Sequence, residues 1–283
     1  MIPDIQNEKP KYGFSLISVG LGGLRIPRSI LENSSNTEFS NIKVSIYISL
    51  PHNQRGIHVS RSYEAIENIL KDTPLNIWDL SRKIAESTLR LNNYSNRVIV
   101  KLSGKVIEFS DVLNPIESED FILTYTLKRN SEDIYTLSVR AYGMTACPCA
   151  YEVSKKLTNN NSIVTHTQRA IGIVKLKTRN IIPNGIHEVA ELIRSSMSMR
   201  LHVKLKRNEE AKELIKVSRN LKFTEDVVRE ILHKLTLMKS LSDDVKVMVK
   251  VVSFESIHPY NVEAKHTATL GRLRKLSNSC DMV

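Results

Sequence analysis

The same order of sequence patterns occurs twice in this chain of 283 residues, and that repetition limits the available folds more than any single residue does. In the first half Ile42, Val44, Ile46, Ile48 and Leu50 alternate with Lys43, Ser45, Tyr47 and Ser49, the period of a half-buried strand. Pro51 stops the run, and Gly20-Leu21-Gly22-Gly23 before it predicts a turn. Two helical periodicities follow. Tyr63–Lys71 gathers Ala65, Ile66, Ile69 and Leu70 on one face, and Asn76–Leu91 gathers Ile77, Leu80, Ile84 and Leu91. Three strand patterns come next: Arg97–Leu102, Phe121–Leu127 and Ile134–Tyr142. The second half repeats the grammar with a strand at Ala170–Leu176, helices at Ile186–Met197 and Val227–Met238, and strands at Val245–Val251 and Val262–Leu270. Each half reads strand, helix pair, strands. The expectation is an α+β chain built from two copies of one module, residues 1–150 and 151–283, with 271–283 a polar, frayed tail.

Charge is distributed unevenly. Residues 151–283 hold 24 Lys and Arg against 14 Asp and Glu, so that half carries +10 of the total +11. A basic half suits an anionic partner such as a phosphate-bearing metabolite. Nucleic acid is disfavoured, because aromatics make up 6% and no recognisable nucleic-acid-binding module is present. No apolar run approaches the ~18 residues that a membrane span needs. The segment Met1–Pro10 is polar and lacks an apolar signal. Three cysteines cannot build a disulfide framework, which predicts a reducing, cytoplasmic setting.

The chemistry concentrates where Cys147-Pro148-Cys149 ends a strand-like run and Thr165-His166-Thr167-Gln168-Arg169 follows about twenty residues later. Thiolate and imidazole are soft-to-borderline metal ligands. The two cysteines are too close for an ordinary unstrained disulfide. One metal-bound or reactive thiolate, or a pair of buried structural thiols, fits the spacing. Four further segments stand at element ends. Arg55-Gly56-Ile57-His58-Val59-Ser60-Arg61 is a ready anion site, or a helix entry with Ser60 as N-cap. Lys206-Arg207-Asn208-Glu209-Glu210 and Thr224-Glu225-Asp226 place carboxylates at helix starts, as ligands or as partners of the helix dipole, with Thr224 as the expected cap. Phe254-Glu255-Ser256-Ile257-His258-Pro259-Tyr260 puts His258 at a strand end, for catalysis or as a hydrogen-bonded structural residue.

Taken together, His52–Arg61, Gly143–Ala150, Thr165–Arg169, Lys222–Asp226 and Phe254–His258 resemble the type IB GTP cyclohydrolases and their archaeal relatives of the methanopterin pathway. The Gly143-Met144-Thr145-Ala146 form before Cys147 is similar to the archaeal branch. The resemblance implies the tunnelling fold: two tandem modules of antiparallel sheet with a helix pair on one face, assembled as a homo-oligomer, a dimer or tetramer. It implies one divalent metal per subunit, Fe(II) first and Zn(II) or Mn(II) as alternatives, held by Cys147, His166 and Glu210, with Glu209 one residue away. It implies that Glu225 anchors guanine, that Cys147 and His258 serve catalysis, and that Arg61, His58, Arg169 and Arg207 hold the triphosphate. The family often carries a second His two residues after the one matched by His258, and here Tyr260 stands there. The implied product is dihydroneopterin 2′,3′-cyclic phosphate, with dihydroneopterin triphosphate as the alternative. Two other readings stay open: a nitrile reductase with a Cys nucleophile, and a non-catalytic phosphate- or nucleic-acid-binding protein.

Overall fold

A computed structural model describes residues 3–27, 29, 31, 37–71, 75–111, 114–159, 161 and 163–280. The elements run β1 (Leu16–Arg25), β2 (Thr37–Leu50), α1 (Val59–Ile69), α2 (Ile77–Leu91), β3 (Arg97–Asp111), β4 (Asn114–Lys128), β5 (Ile134–Ala146), α3 (Pro148–Leu157), β6 (Thr167–Thr178), α4 (Gly185–Ser195), α5 (Arg207–Val217), α6 (Thr224–Leu237), β7 (Lys246–Ser253), β8 (Val262–Thr269) and α7 (Leu270–Cys280). Among the described residues the strands form one eight-stranded sheet in chain order, β1 to β8, each hydrogen-bonded to the next. By contacts the chain divides into two compact units. The first is Met1–Ile107 with Phe121–Leu137 and Thr178–Ile181; the second is Glu108–Asp120 with Ser138–Lys177 and Ile182–Val283. A boundary at residue 150 would fall inside α3.

In the first unit β1 pairs antiparallel with β2, and the expected turn at Gly20–Gly23 is part of β1. The physical reason is close approach. A Cβ on Gly20 would overlap the Ile46 carbonyl oxygen, so only glycine lets the two backbones pair there. Gly23 has φ +70° where the register slips between Leu21 and Leu24, the conformation and place of a bulge. The alternating residues of β2 are buried as expected, with Val44, Ile46 and Ile48 essentially without exposure. Helix α2 begins where Asn76 Oδ1 accepts from the Trp78 and Asp79 N–H groups at 3.0 and 2.9 Å. Its Trp78 ring meets Tyr135 edge-on, with centroids 5.3 Å apart. The N-cap of α1 is His58, not Ser60, which lies one residue inside the helix.

In the second unit Tyr135's strand continues as β5, where Val139 and Ala141 are buried on alternate positions. β6, β7 and β8 pair antiparallel without a slip. Helices α4 and α6 cover this part through Val189, Ala190 and Ile193 and through Val227, Ile231 and Leu235, all fully buried. Each large aliphatic side chain so removed from water contributes about 1.5–3 kcal/mol. The cap of helix α6 falls one residue before the expected Thr224, which is the helix's first residue: Phe223 is the N-cap, and its N–H donates to Asp226 Oδ2 at 3.1 Å.

Residues 270–280 are not a frayed tail but helix α7, and 281–283 lie outside the described residues. Leu270 and Leu273 are buried. Arg274 donates to the carbonyls of Thr236, Met238 and Leu241 at 3.1, 2.8 and 2.9 Å, and to Asp243 at 2.5 Å. Those carbonyls belong to the C-terminus of α6 and the turn after it, groups that a helix end leaves without intrahelical partners. Two leucines and one arginine in a polar stretch are too sparse to show as a periodicity, yet they suffice to dock it.

Candidate active site

Strand β5 delivers Cys147. Its last residue, Ala146, donates its N–H to Ser198 Oγ at 3.2 Å and accepts at its carbonyl from the Lys222 N–H at 3.1 Å. Cys147 is then the N-cap of α3, with Pro148 in the first turn, where proline's missing N–H costs nothing. The Cys147 sulfur accepts from the Ala150 N–H at 3.4 Å. Its backbone N–H donates to the His166 carbonyl at 3.1 Å, and Thr165 Oγ1 donates to the Cys147 carbonyl at 2.6 Å. Two segments nearly twenty residues apart are thereby fixed side by side. Both Cys147 and Cys149 are free thiols, and Cys149 is exposed in the first turn of α3.

His166 stands just before β6, with its Nδ1 2.8 Å from Gln168 Oε1. Gln168 Nε2 donates to Thr145 Oγ1 at 3.0 Å and to Glu255 Oε1 at 3.4 Å. Thr145 and Ser253 share a hydroxyl–hydroxyl bond of 3.0 Å, and Ser253 Oγ donates to Glu255 Oε1 at 2.9 Å. Gln168, Thr145 and Ser253 are buried. Sequence reasoning assigned none of these four a role, although Thr145, Gln168 and Glu255 lie inside the quoted motifs. The available signal was the two-residue spacing of His166 and Gln168 at the start of a strand.

The remaining expected residues are placed less closely. Glu210 is exposed in the first turn of α5, a polar helix that buries only Val217. Its neighbour Glu209 is committed to the helix start, accepting the Lys206 N–H at 2.8 Å. Among the described residues no three His, Cys, Asp or Glu side chains gather as a metal site, so Glu210 is not brought to Cys147 and His166. Arg207 opens α5, Arg169 lies on β6 and Glu225 sits in the first turn of α6, all three exposed. His258 lies in the loop between β7 and β8, its ring stacked on Tyr260 at 5.1 Å and 4°. In the same unit, Lys222 and Lys234 reach Glu230 at 2.5 and 2.8 Å. Burial works to raise the Glu230 carboxyl, but the two lysine hydrogen bonds outweigh it and hold its pKa below the ordinary range.

His58 and Arg61 belong to the first unit. His58 Nε2 is 3.1 Å from Asp4 Oδ1, and its backbone N–H donates to the Tyr94 hydroxyl at 3.2 Å. An aspartate at that distance competes with any phosphate for the imidazole. A cavity of about 510 Å³ in the same unit is lined by Leu16, His52, Tyr94, Arg97 and Arg129 but not by His58 or Arg61. The guanidiniums of Arg97 and Arg129 there already serve backbone carbonyls, of Ile17 and of Ser95 and Leu89.

The donor set fits a borderline-soft divalent cation as far as it is assembled. A half-buried sulfur and an imidazole whose Nδ1 is held by an outer partner are the usual first and second ligands of such ions.

Comparison of the fold places the chain in a structural class. It resembles the uricase of Arthrobacter globiformis, with a TM-score of 0.54 at 6% identity over 89% of this chain and 93% of that one. A uricase from Bacillus fastidious gives 0.52 at 8% identity, over 92% and 96%. These are tunnelling-fold proteins, and the α+β architecture with its eight-stranded sheet is that fold. Sequence comparison then narrows the class. The family described as type I GTP cyclohydrolase folE2 matches residues 2–264, and the chain belongs to that family, which is metal-dependent in general. It is 31% identical to "GTP cyclohydrolase MptA" of Korarchaeum cryptofilum, over 96% of this chain and 94% of that protein. It is 28% identical to the protein of the same name from Methanococcus aeolicus, over 97% and 99%.

Proposed function

We propose that the chain is a metal-dependent GTP cyclohydrolase of pterin-type cofactor biosynthesis. In this reading it opens the guanine imidazole ring, releases formate, and gives 7,8-dihydroneopterin 2′,3′-cyclic phosphate and pyrophosphate. The observation that carries the reading is the fixed juxtaposition of Cys147 and His166 inside a family match spanning nearly the whole chain. Cys147, His166 and Glu210 would hold the cation, Fe(II) first, with Zn(II) or Mn(II) as alternatives. Bound there, it supplies Lewis acidity toward the water that attacks C8. Closing the ligand set requires Glu210 to approach the other two, for which its place on the lightly packed α5 is suited.

The chain's own groups supply the rest. Guanine presents two neighbouring donors, N1–H and the exocyclic amine, and one carboxylate can accept both, the role assigned to Glu225. His258 protonates N7 as C8 is attacked and acts again as formate leaves. Its stacking on Tyr260 orients the imidazole in the absence of a second histidine. Arg169 and Arg207, both in the second unit, are assigned to the triphosphate. Cyclic phosphate forms when a ribose hydroxyl attacks the α-phosphate and pyrophosphate departs, and a basic cluster stabilises that developing charge. The setting is the cytoplasm and the working form a homo-oligomer.

Anaerobic incubation with GTP and Fe(II), followed by mass analysis and phosphorus NMR, tests the proposal. Formate, free pyrophosphate and a cyclic phosphodiester are expected. An intact triphosphate ester would assign the dihydroneopterin triphosphate activity instead, and no ring opening in metal-loaded protein would refute the reading altogether.

A further inference from the structure

We propose that Gln168 is a positioning residue that sets the tautomer of His166, so that Nε2 and not Nδ1 is the nitrogen presented to the metal. The inference rests on the reading of His166 as a ligand. Its basis is the direction of every hydrogen bond in the chain from His166 through buried Gln168, Thr145 and Ser253 to Glu255. An ionised carboxylate only accepts. Glu255 Oε1 therefore receives the Ser253 hydroxyl at 2.9 Å and must face the amino end of the Gln168 amide at 3.4 Å. The Thr145 hydroxyl accepts the other Gln168 N–H at 3.0 Å and, because Ser253 already donates to Glu255, donates its own O–H to Ser253 Oγ at 3.0 Å. The amide is thus oriented from behind, and its carbonyl oxygen is the end that meets His166 Nδ1 at 2.8 Å. A carbonyl cannot donate, so Nδ1 carries the hydrogen. In the neutral ring the lone pair then lies on Nε2.

Turning the amide over would set its carbonyl against the Glu255 carboxylate and its amino group against Nδ1. That arrangement moves the ring hydrogen to Nε2 and removes the ligating lone pair. Burial makes the choice firm. Gln168 is 8% exposed, Thr145 1% and Ser253 0%, so water does not offer substitute partners. The sequence supplies this device through two strands, since Thr145 is the penultimate residue of β5 and Ser253 ends β7, on either side of Gln168 near the start of β6. An outer partner that accepts from a ligating imidazole also raises the basicity of the other nitrogen.

The test is zinc affinity of the full-length, initially metal-free protein, measured by competition with a chromogenic chelator. Gln168→Met keeps length but removes the acceptor, and affinity is expected to fall about 10–100-fold. Gln168→Glu restores an acceptor for Nδ1–H and, made together with Glu255→Gln so that two carboxylates do not face each other, is expected to stay within a few-fold of the parent, about threefold. Circular dichroism of the metal-free variants checks that each is folded. Parent-like affinity in Gln168→Met overturns the proposal, as does equal weakening in both variants. Should Gln168→Met not fold, a tenfold or greater loss in Gln168→Glu with Glu255→Gln overturns it alone. His166→Ala separates the two claims. Its loss of zinc supports the ligand reading whatever Gln168 does, and its retention of zinc removes the ligand reading and the inference with it.

Discussion

Two neighbouring cysteines differ in what the backbone does with them. Cys147 caps α3 and is tied by its main chain to His166, whereas Cys149 is exposed two residues on, in the first turn of the helix. Metal content after purification should therefore collapse in Cys147→Ala and change little in Cys149→Ala, because a three-ligand site cannot spare a ligand. The opposite ranking would mean that the wrong sulfur has been assigned. Glu225 offers a comparable contrast. It lies at the start of α6, where a carboxylate also suits the helix dipole. As a guanine anchor, Glu225→Gln should weaken transition-state binding of GTP by about 2–4 kcal/mol, read from kcat/KM. Its exposure predicts an unchanged melting temperature; a lowered melting temperature with unchanged kinetics would reduce Glu225 to a helix-end charge.

At the scale of elements, α6 and α7 depend on side chains that end or staple helices. Arg274→Met removes the side-chain donor to the Thr236, Met238 and Leu241 carbonyls at the end of α6 and in the turn after it, and should cost about 1–3 kcal/mol, seen as a lower thermal midpoint. A frayed tail would give no change. Glu230 makes the pH dependence of this region explicit. Its folded carboxyl lies below the ordinary 4.5, so its ion pairs with Lys222 and Lys234 stabilise the protein above that value. That stability is lost as pH falls through the depressed folded value. Melting temperature followed downward from neutral pH should show less acid-side loss, below about 4.5, in Glu230→Gln than in the parent. A parallel acid limb in both would remove Glu230 as a contributor.

For the whole molecule, the tunnelling fold leaves β1 and β8 as the outer strands of the eight. Unpaired strand edges are sites at which chains associate. Leu16 and Ile17 on β1 are exposed and apolar, in keeping with the proposed homo-oligomer. Sedimentation equilibrium should return a dimer or tetramer mass, and a monomer that retains full GTP turnover would exclude any role for assembly in the site. Among the described residues no helix is long and apolar enough to cross a membrane.

How much of this could be read beforehand depends on the range of the interaction. The alternation of β2, the faces of α2, α4 and α6 and the β7 run are local patterns, and each became the element its period implied. Cys147, His166 and the two basic segments announced themselves by residue type. Gly20 was misread as a turn because the reason for it is a backbone atom of Ile46, far away in sequence. Helix α7 was missed because its support comes from carbonyls of α6. The joining of Thr145, Gln168 and Ser253 was likewise invisible, since strand pairing alone makes neighbours of residues 23 and 108 positions apart. The sequence by itself determined the α+β class and the family, because these reside in residue type and order. Only the tertiary structure decided which donors meet, because hydrogen bonds and close packing act over a few ångströms in space whatever the separation along the chain.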